Sequence, residues 1–519
     1  FVMCARQGLT LPYLSKDWME ICRFAVQTAK KYGLEVWLYD EFPYPSGISG
    51  GEVTLRTPQS CQHELCFTDI LTENGKAEVS LGKVRILSAF AYPFTEGKTN
   101  WQEGKDIAEN IGIVQPVEIY QYRESQPAEP QMSVLNRKRF FSYGPEKRLS
   151  FHISEKKTYR IIIAFAKKIE HFKYYGDFID PADPQAVDTF IETTYEKYRQ
   201  ILGEEFGKTI RGIYGDETHF LGNYFWSFQL PEYYRQKYGE DLMELLAGIL
   251  DRSFPFAARI RYRYFQCMHE LLRDRYHKRI AQWCERYQLQ YAAEIPVMRM
   301  SGQAYNHVPG GDPNHDKIGI SMEQVIDRDF LGLRSNTKVL SAIARQYNRK
   351  DSMVESFHSI GWSMTLQDAK WMIDRETWMG TSMHVFHAFF YSIDGMTKHD
   401  AAPSQFLQNP YWEYYKKLAD YCGRCARFVT QTQYSARTAL LHPMTSWWTS
   451  LINPMLRMKY IGQEEEEKKQ AQQLCADYLF LCKALLFNGI DYDDLDPETM
   501  KEGRMEEGAL KIGKASYTT

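Results

Sequence analysis

The sequence has no apolar run approaching the roughly 18 residues that a membrane-spanning helix needs. It has almost no net charge, -3 from 63 Lys+Arg and 66 Asp+Glu, so the basic footprint of a nucleic-acid binder is not expected. No Ser-His-Asp spacing, nucleophile elbow, Walker phosphate loop or GxGxxG fingerprint is present. Triad hydrolases, P-loop NTPases and dinucleotide enzymes therefore find no support. No short internal repeat is visible. The ten cysteines lack the spacing of a disulfide framework, which favours a reducing, cytoplasmic compartment. Cys422 and Cys425 form a lone CxxC with no second pair, which falls short of a zinc site. Phe1 reads as lying inside a strand, so the true start is expected upstream, and periplasmic or secreted locations stay open.

What is present is a chain of 519 residues, long enough for two or three domains. It is rich in Tyr (35) and Trp (11), whose rings suit flat sugar faces as well as protein cores. One stretch organises the rest: residues 35–53, EVWLYDEFPYPSGISGGEV. Its apolar run has the look of a buried strand. The run ends in Asp40 and Glu41, followed by a Pro/Gly/Ser loop that contains Tyr44. In an eight-stranded α/β barrel the chemistry sits where strands stop. Alone, the acids read equally well as caps of an ordinary loop.

Taken in order, FVMCA reads as a strand tail. Ser15 caps a helix ended by Gly33, and the residues 35–53 stretch follows as the next strand, giving a parallel βαβ unit. Helical periodicity is then scarce up to about residue 160. Alternating runs at 63–70, 77–94 and 140–153, separated by Pro-rich stretches such as 125–131, predict an inserted β domain. The YRIIIAFA run returns to a buried strand, and Asp183 with Pro184 starts another helix. Strands are expected near residues 3, 37, 162, 212, 291, 322, 353 and 385, most of them separated by helices. The expectation is an α/β fold: a (β/α)8 TIM-type barrel with an inserted β domain and a partial C-terminal α/β, flavodoxin-like domain. The boundaries are 1–52 for barrel strands one and two, 53–158 for the insert, 159–430 for the remaining barrel, and 431–519 for the C-terminal part. The RIRYRYF arginines are expected on a solvated or salt-bridged helix face.

Four expected strand ends carry acids: Asp40/Glu41, Asp216/Glu217, Glu294 and Glu355. Each alone reads more readily as a structural partner; their coincidence at one rim is what points to chemistry. Cleaving a glycosidic bond takes one carboxylic acid to protonate the leaving oxygen and a second carboxylate to activate water or attack the sugar. Glu217 and Glu355, after the expected strands four and seven, form the candidate catalytic pair. Asp40, Glu41, Tyr44, Asp216, His358, Trp362, His387 and Tyr391 are candidate substrate contacts.

The stretches WLYDEFPYPSGISGG, GIYGDETHF, SAIARQYN, VESFHSIGW, HVFHAFFYS and NPYWEYYKKLADYCGR, in this order, resemble bacterial glycoside hydrolase family 106 and its relatives, the α-L-rhamnosidase group. The similarity runs from Phe1 to about Trp447 and is weakest in the insert. It implies a (β/α)8 barrel with β-rich accessory domains, inverting action on rhamnosides, and a calcium ion in the site. It places the acid at Glu217 and the base at Glu355, with Glu294 and Asp216 as candidate calcium ligands. The chain departs from the pattern at GDETHF and AAEIP, which leaves the sugar open. The expected partner is an oligosaccharide or glycoside, with neither nucleic acid nor membrane. A retaining β-glycosidase and a non-catalytic carbohydrate-binding protein stand as alternatives.

Overall fold

The computed structural model describes residues 1–114, 117–120, 140–143, 145–153, 157–170, 176–296, 298–313, 320–398, 400–432 and 434–519. The Pro-rich stretch 125–131 lies outside them. The helix Lys16–Tyr32 begins where Ser15 accepts the Trp18 N–H and ends at Gly33, whose φ of 65° is the left-handed cap a glycine adopts without strain. The helix delivers the chain to the strand Val36–Tyr39, buried at every position.

Among the described residues seven parallel strands form the central sheet, in chain order: Val2–Met3, Val36–Tyr39, Ile210–Asp216, Gln290–Glu294, Val308–Gly311, Met353–Ser356 and Met383–Phe386. We number them barrel strands one to seven. Register brings their C-terminal ends to one rim: Tyr39 lies beside Tyr214, Asp216 beside Glu294, Glu294 beside Gly310, and Glu355 beside Val385. Helices separate most of the strands and cover the outside, as parallel strands require. Among the described residues strands one and seven are not bonded to each other. The sheet is thus a nearly closed barrel, and a cavity of about 1010 Å³ opens along that seam.

Two expected strands are corrected. The YRIIIAFA run is a strand, Tyr159–Lys168, but it lies antiparallel between His63–Leu71 and Arg85–Thr95 in the inserted sheet. Barrel strand two pairs directly with Ile210–Asp216 instead. The strand expected near residue 322 is the helix Met322–Asp329, opened by a Ser321/Gln324 capping box. The true fifth strand is Val308–Gly311. Among the described residues Glu217 therefore follows strand three and Glu355 lies in strand six, where the fourth and seventh strands were expected.

The antiparallel sheet packs on a second one built from Lys76–Gly82, Glu146–His152 and Ile111–Val114. Between them lies a separate core of Ala89, Ala91, Leu149, Ile161 and Ile163. At the C-terminal end the strands Thr438–Leu441 and Tyr492–Leu495 pair in parallel, joined through the helix Glu465–Phe487. Trp447, Trp448 and Tyr478 of this region belong to the same core as the barrel helices. The RIRYRYF arginines divide. Arg263 pairs with Glu240 at 2.6 Å near the surface, whereas Arg261 is fully buried and ion-paired to Glu467. The C-terminal module also grips the helix Thr337–Gln346, through Lys338 Nζ to Asp491 at 2.5 Å and Arg345 to Asp493.

Candidate active site

The loop after strand two is built around Glu41. Its Oε1 accepts the N–H groups of Phe42 (2.8 Å) and Gly50 (2.7 Å); its Oε2 accepts those of Gly47 (2.9 Å), Ile48 (2.7 Å) and Ser49 (2.8 Å). Burial pushes its carboxyl up to about 7 against the pull of these donors. Glu41, expected at the substrate, is thus corrected: its oxygens serve the loop. Asp40 is also fully buried, held by Ser46 Oγ and Tyr195 OH at 2.5 Å each, and burial lifts it to about 8. It supports the rim from below. Ser46 links it to strand three, because its Oγ accepts the Asp216 N–H at 2.7 Å. Tyr44 stands under the Arg6 guanidinium, 5.0 Å from ring centre to cation. Arg6 is itself fixed by a two-pronged contact to Asp400 (3.0 and 3.1 Å).

The acids at the ends of strands three to six meet in one cluster. Tyr214 projects its hydroxyl between Glu294 Oε2 (3.1 Å) and Glu355 Oε2 (3.2 Å), and these two carboxyls are in hydrogen-bond contact with each other. Burial, then the charges of Glu355, Asp216 and Asp312, hold Glu294 well above the usual carboxylate range. Burial, then Asp216 and Asp312, raises Glu355 likewise. Asp216 reaches about 6, through burial first and the Glu217 charge second; its carboxylate accepts the Tyr39 hydroxyl.

Glu217 turns the chain at φ 47°, a left-handed conformation unusual for a non-glycine residue, with its N–H on the Glu294 carbonyl at 2.8 Å. Its carboxylate pairs with Arg334, which also lies 3.7 Å from Asp312. Burial works against the Arg334 charge, but Glu217, Asp312, Glu294 and Asp216 outweigh it and hold the group cationic. Glu217, Glu294 and Asp312 bring one carboxylate oxygen each within 4.8 Å of one another. Such hard oxygen donors suit calcium. Of the expected ligands Glu294 stays in this set, Asp216 is taken by Tyr39, and Asp312 stands in its place.

His387 follows strand seven and lines the seam cavity with Glu355. Its ring meets that of His358 edge-on at 5.0 Å. Tyr391 lies on the cavity edge, 92% exposed. Trp362 is 45% exposed and does not line that cavity. Tyr214, Asp312, Arg334 and Arg6 were missed by the sequence reading. Asp312 had a signal, an acid straight after a strand, but that strand was sought ten residues later. Tyr214 and Arg334 had none.

No protein-family model matches the chain, and no curated protein matches it. Among solved structures, a rhamnosidase from Novosphingobium sp. PP1Y is similar over 99% of this chain, with a TM-score of 0.58 and 12% identity. This chain spans 62% of that rhamnosidase's length. A catalytic mutant of a GH42 beta-galactosidase from G. stearothermophilus aligns over 93% of this chain and 58% of its own, with a TM-score of 0.49 and 10% identity. The rhamnosidase likeness shows the fold: a TIM-like α/β barrel carrying extra domains.

Proposed function

We propose that the chain is a glycoside hydrolase cleaving a terminal glycosidic bond by carboxylate general acid/base catalysis. One observation supports this above the rest. Glu217, Glu294, Asp312 and Glu355, from four successive strands, converge on one cluster at the barrel's C-terminal rim. In this reading Glu217 protonates the leaving oxygen, and Glu355, once it has given up the proton that its burial favours, takes the proton of the attacking water. Glu294 touches Glu355 directly, nearer than the roughly 5–5.5 Å of a retaining pair or the 6.5–9.5 Å of an inverting pair. It is therefore not the partner acid. Glu217, on the same rim, is the partner acid in this reading, and inversion is what the sequence resemblance implies. Arg334 stabilises the charged form of Glu217, so the acid role requires incoming sugar hydroxyls to draw the guanidinium away. A terminal α-L-rhamnoside or related deoxy-sugar is the substrate favoured by the sequence resemblance, and the likeness to a rhamnosidase agrees with it.

A calcium ion would be held by Glu294 and Asp312, with Glu217 within reach, and would supply a fixed positive charge for binding sugar hydroxyls. If Glu217 joined its ligands, it would be lost as an acid, so chelation separates the two roles. The test is turnover of an aryl-glycoside panel with and without chelator. Glu217→Gln and Glu355→Gln should each lower kcat by about 10²–10⁴-fold in a folded protein. Glu217→Gln should hurt poor leaving groups most. Near-wild-type turnover by either variant would sink the assignment, and proton NMR of the first-formed anomer decides between inversion and retention.

A further inference from the structure

Glu376 stands on the helix Leu366–Trp378, on the face it buries with Ala369, Met372 and Ile373. Almost no solvent reaches it. Its Oε2 accepts two hydrogen bonds, from Ser356 Oγ at 2.7 Å and from His384 Nδ1 at 2.9 Å. Nδ1 of His384, facing a carboxylate, carries the ring proton. Thr377 Oγ1 lies 3.4 Å from the other ring nitrogen. Arg375 is 3.8 Å from Glu376 Oε1.

Ser356 and His384 belong to barrel strands six and seven. Ser356 directly follows Glu355, and its carbonyl accepts the His387 N–H at 2.9 Å. Strand alternation sends Glu355 into the mouth and Ser356 to the opposite face, where the helix lies. A continuous line of bonds thus runs from Glu376 through Ser356 to the two strand ends that bear Glu355 and His387. An apolar side chain of similar volume would bury there at lower cost. It would also leave the Ser356 and His384 donors without their acceptor, in a place closed to water.

We propose that Glu376 is a positioning residue: through Ser356 it fixes the two strand ends that carry the Glu355 carboxylate and His387 at the barrel mouth. The proposal deepens the glycosidase reading and rests on it only for the kinetic half of its test. The variants are Glu376→Met, which keeps the shape without an acceptor, Ser356→Ala, which deletes one oxygen, and Glu376→Gln, whose amide oxygen can accept both bonds. The readouts are kcat and KM on the aryl-glycoside panel and hydrogen exchange at the His387 amide, resolved by mass spectrometry. Glu376→Met and Ser356→Ala should each lower kcat at least tenfold with KM within twofold, and speed His387 exchange at least tenfold. Glu376→Gln should recover both to within threefold of wild type. Should Glu376→Met fail to fold, Ser356→Ala carries the test. Unchanged exchange in Ser356→Ala overturns the proposal, as does a kcat loss that Glu376→Gln shares in full or a KM that rises in step. A wild type inactive on every glycoside defeats the hydrolase reading, and the exchange measurement then judges Glu376 without a substrate.

Discussion

Replacing Glu41 by Gln changes almost nothing in shape and removes one acceptor atom. The wild-type carboxylate takes five backbone N–H groups, two on Oε1 and three on Oε2. The best a glutamine can do is turn its oxygen toward Gly47, Ile48 and Ser49. Its NH2 then faces the N–H groups of Phe42 and Gly50, donor against donor. Each buried donor left without a partner costs about 1–3 kcal/mol, so the loop should lose about 2–6 kcal/mol. Even the low end multiplies the open population of the loop by about thirtyfold. The assay is amide hydrogen exchange over residues 42–51 at pH 8, above the value near 7 to which burial lifts Glu41, so that the wild-type group is ionised. Exchange at Gly47–Gly50 should accelerate by at least that factor, while the helix Lys16–Tyr32 is unaffected. Acceleration of less than threefold would refute the view that this carboxylate organises the loop.

Two further outcomes are expected. Asp180 is buried, bonded by Ser227 Oγ (2.6 Å) and the Ala182 N–H (2.9 Å), and burial raises it to about 7. The folded chain therefore holds this proton more tightly than the unfolded one. The resulting penalty is absent below about pH 4, grows as pH rises, and is complete above about 7, at about 4 kcal/mol or less. Asp180→Asn should flatten the fall in urea midpoint between pH 5 and 8; parallel pH dependences would contradict it. Gly513 has φ 56°, and a Cβ there would lie 2.3 Å from the Gln346 carbonyl oxygen. Gly513→Ala should cost about 1–3 kcal/mol and expose the last strands to limited proteolysis. Gly508→Ala, at φ 77° with nothing near, isolates the backbone contribution, and equal behaviour of the two would discard the close-approach argument.

The strand-end acids were legible because an apolar run followed by a carboxylate is a local pattern, and the parallel sheet aligns such ends whatever the register of the helices. The two strand errors have different causes. A central strand covered on both faces gives the same unbroken apolar run whether its neighbours are parallel or antiparallel, so Tyr159–Lys168 could not declare its sheet. Val308–Gly311 hid behind Pro309 and two glycines, residues depleted in strands. Gly310 is needed because Met353 Cε and the Ala293 carbonyl leave no room for a Cβ, which would come within 2.4 and 2.7 Å of them. Missing that strand meant missing Asp312. Glu41 misled for another reason: nothing in the letters PSGISGG says that the loop folds back with four successive amides, Gly47 to Gly50, turned toward one side chain. Arg334 sits on a turn between two helices, a place defined only once the barrel has closed around it.

The guanidinium at the rim also bears on what can approach. Counted by its carboxylates the mouth would be a strongly negative basin, attracting cations and repelling acidic sugars over a Debye length. With Arg334 built in beside Glu217 and Asp312, and Arg6 paired with Asp400, part of that charge is offset at short range. Entry of an uncharged glycoside should then depend little on ionic strength, and recognition falls to shape and hydroxyl geometry rather than to long-range attraction.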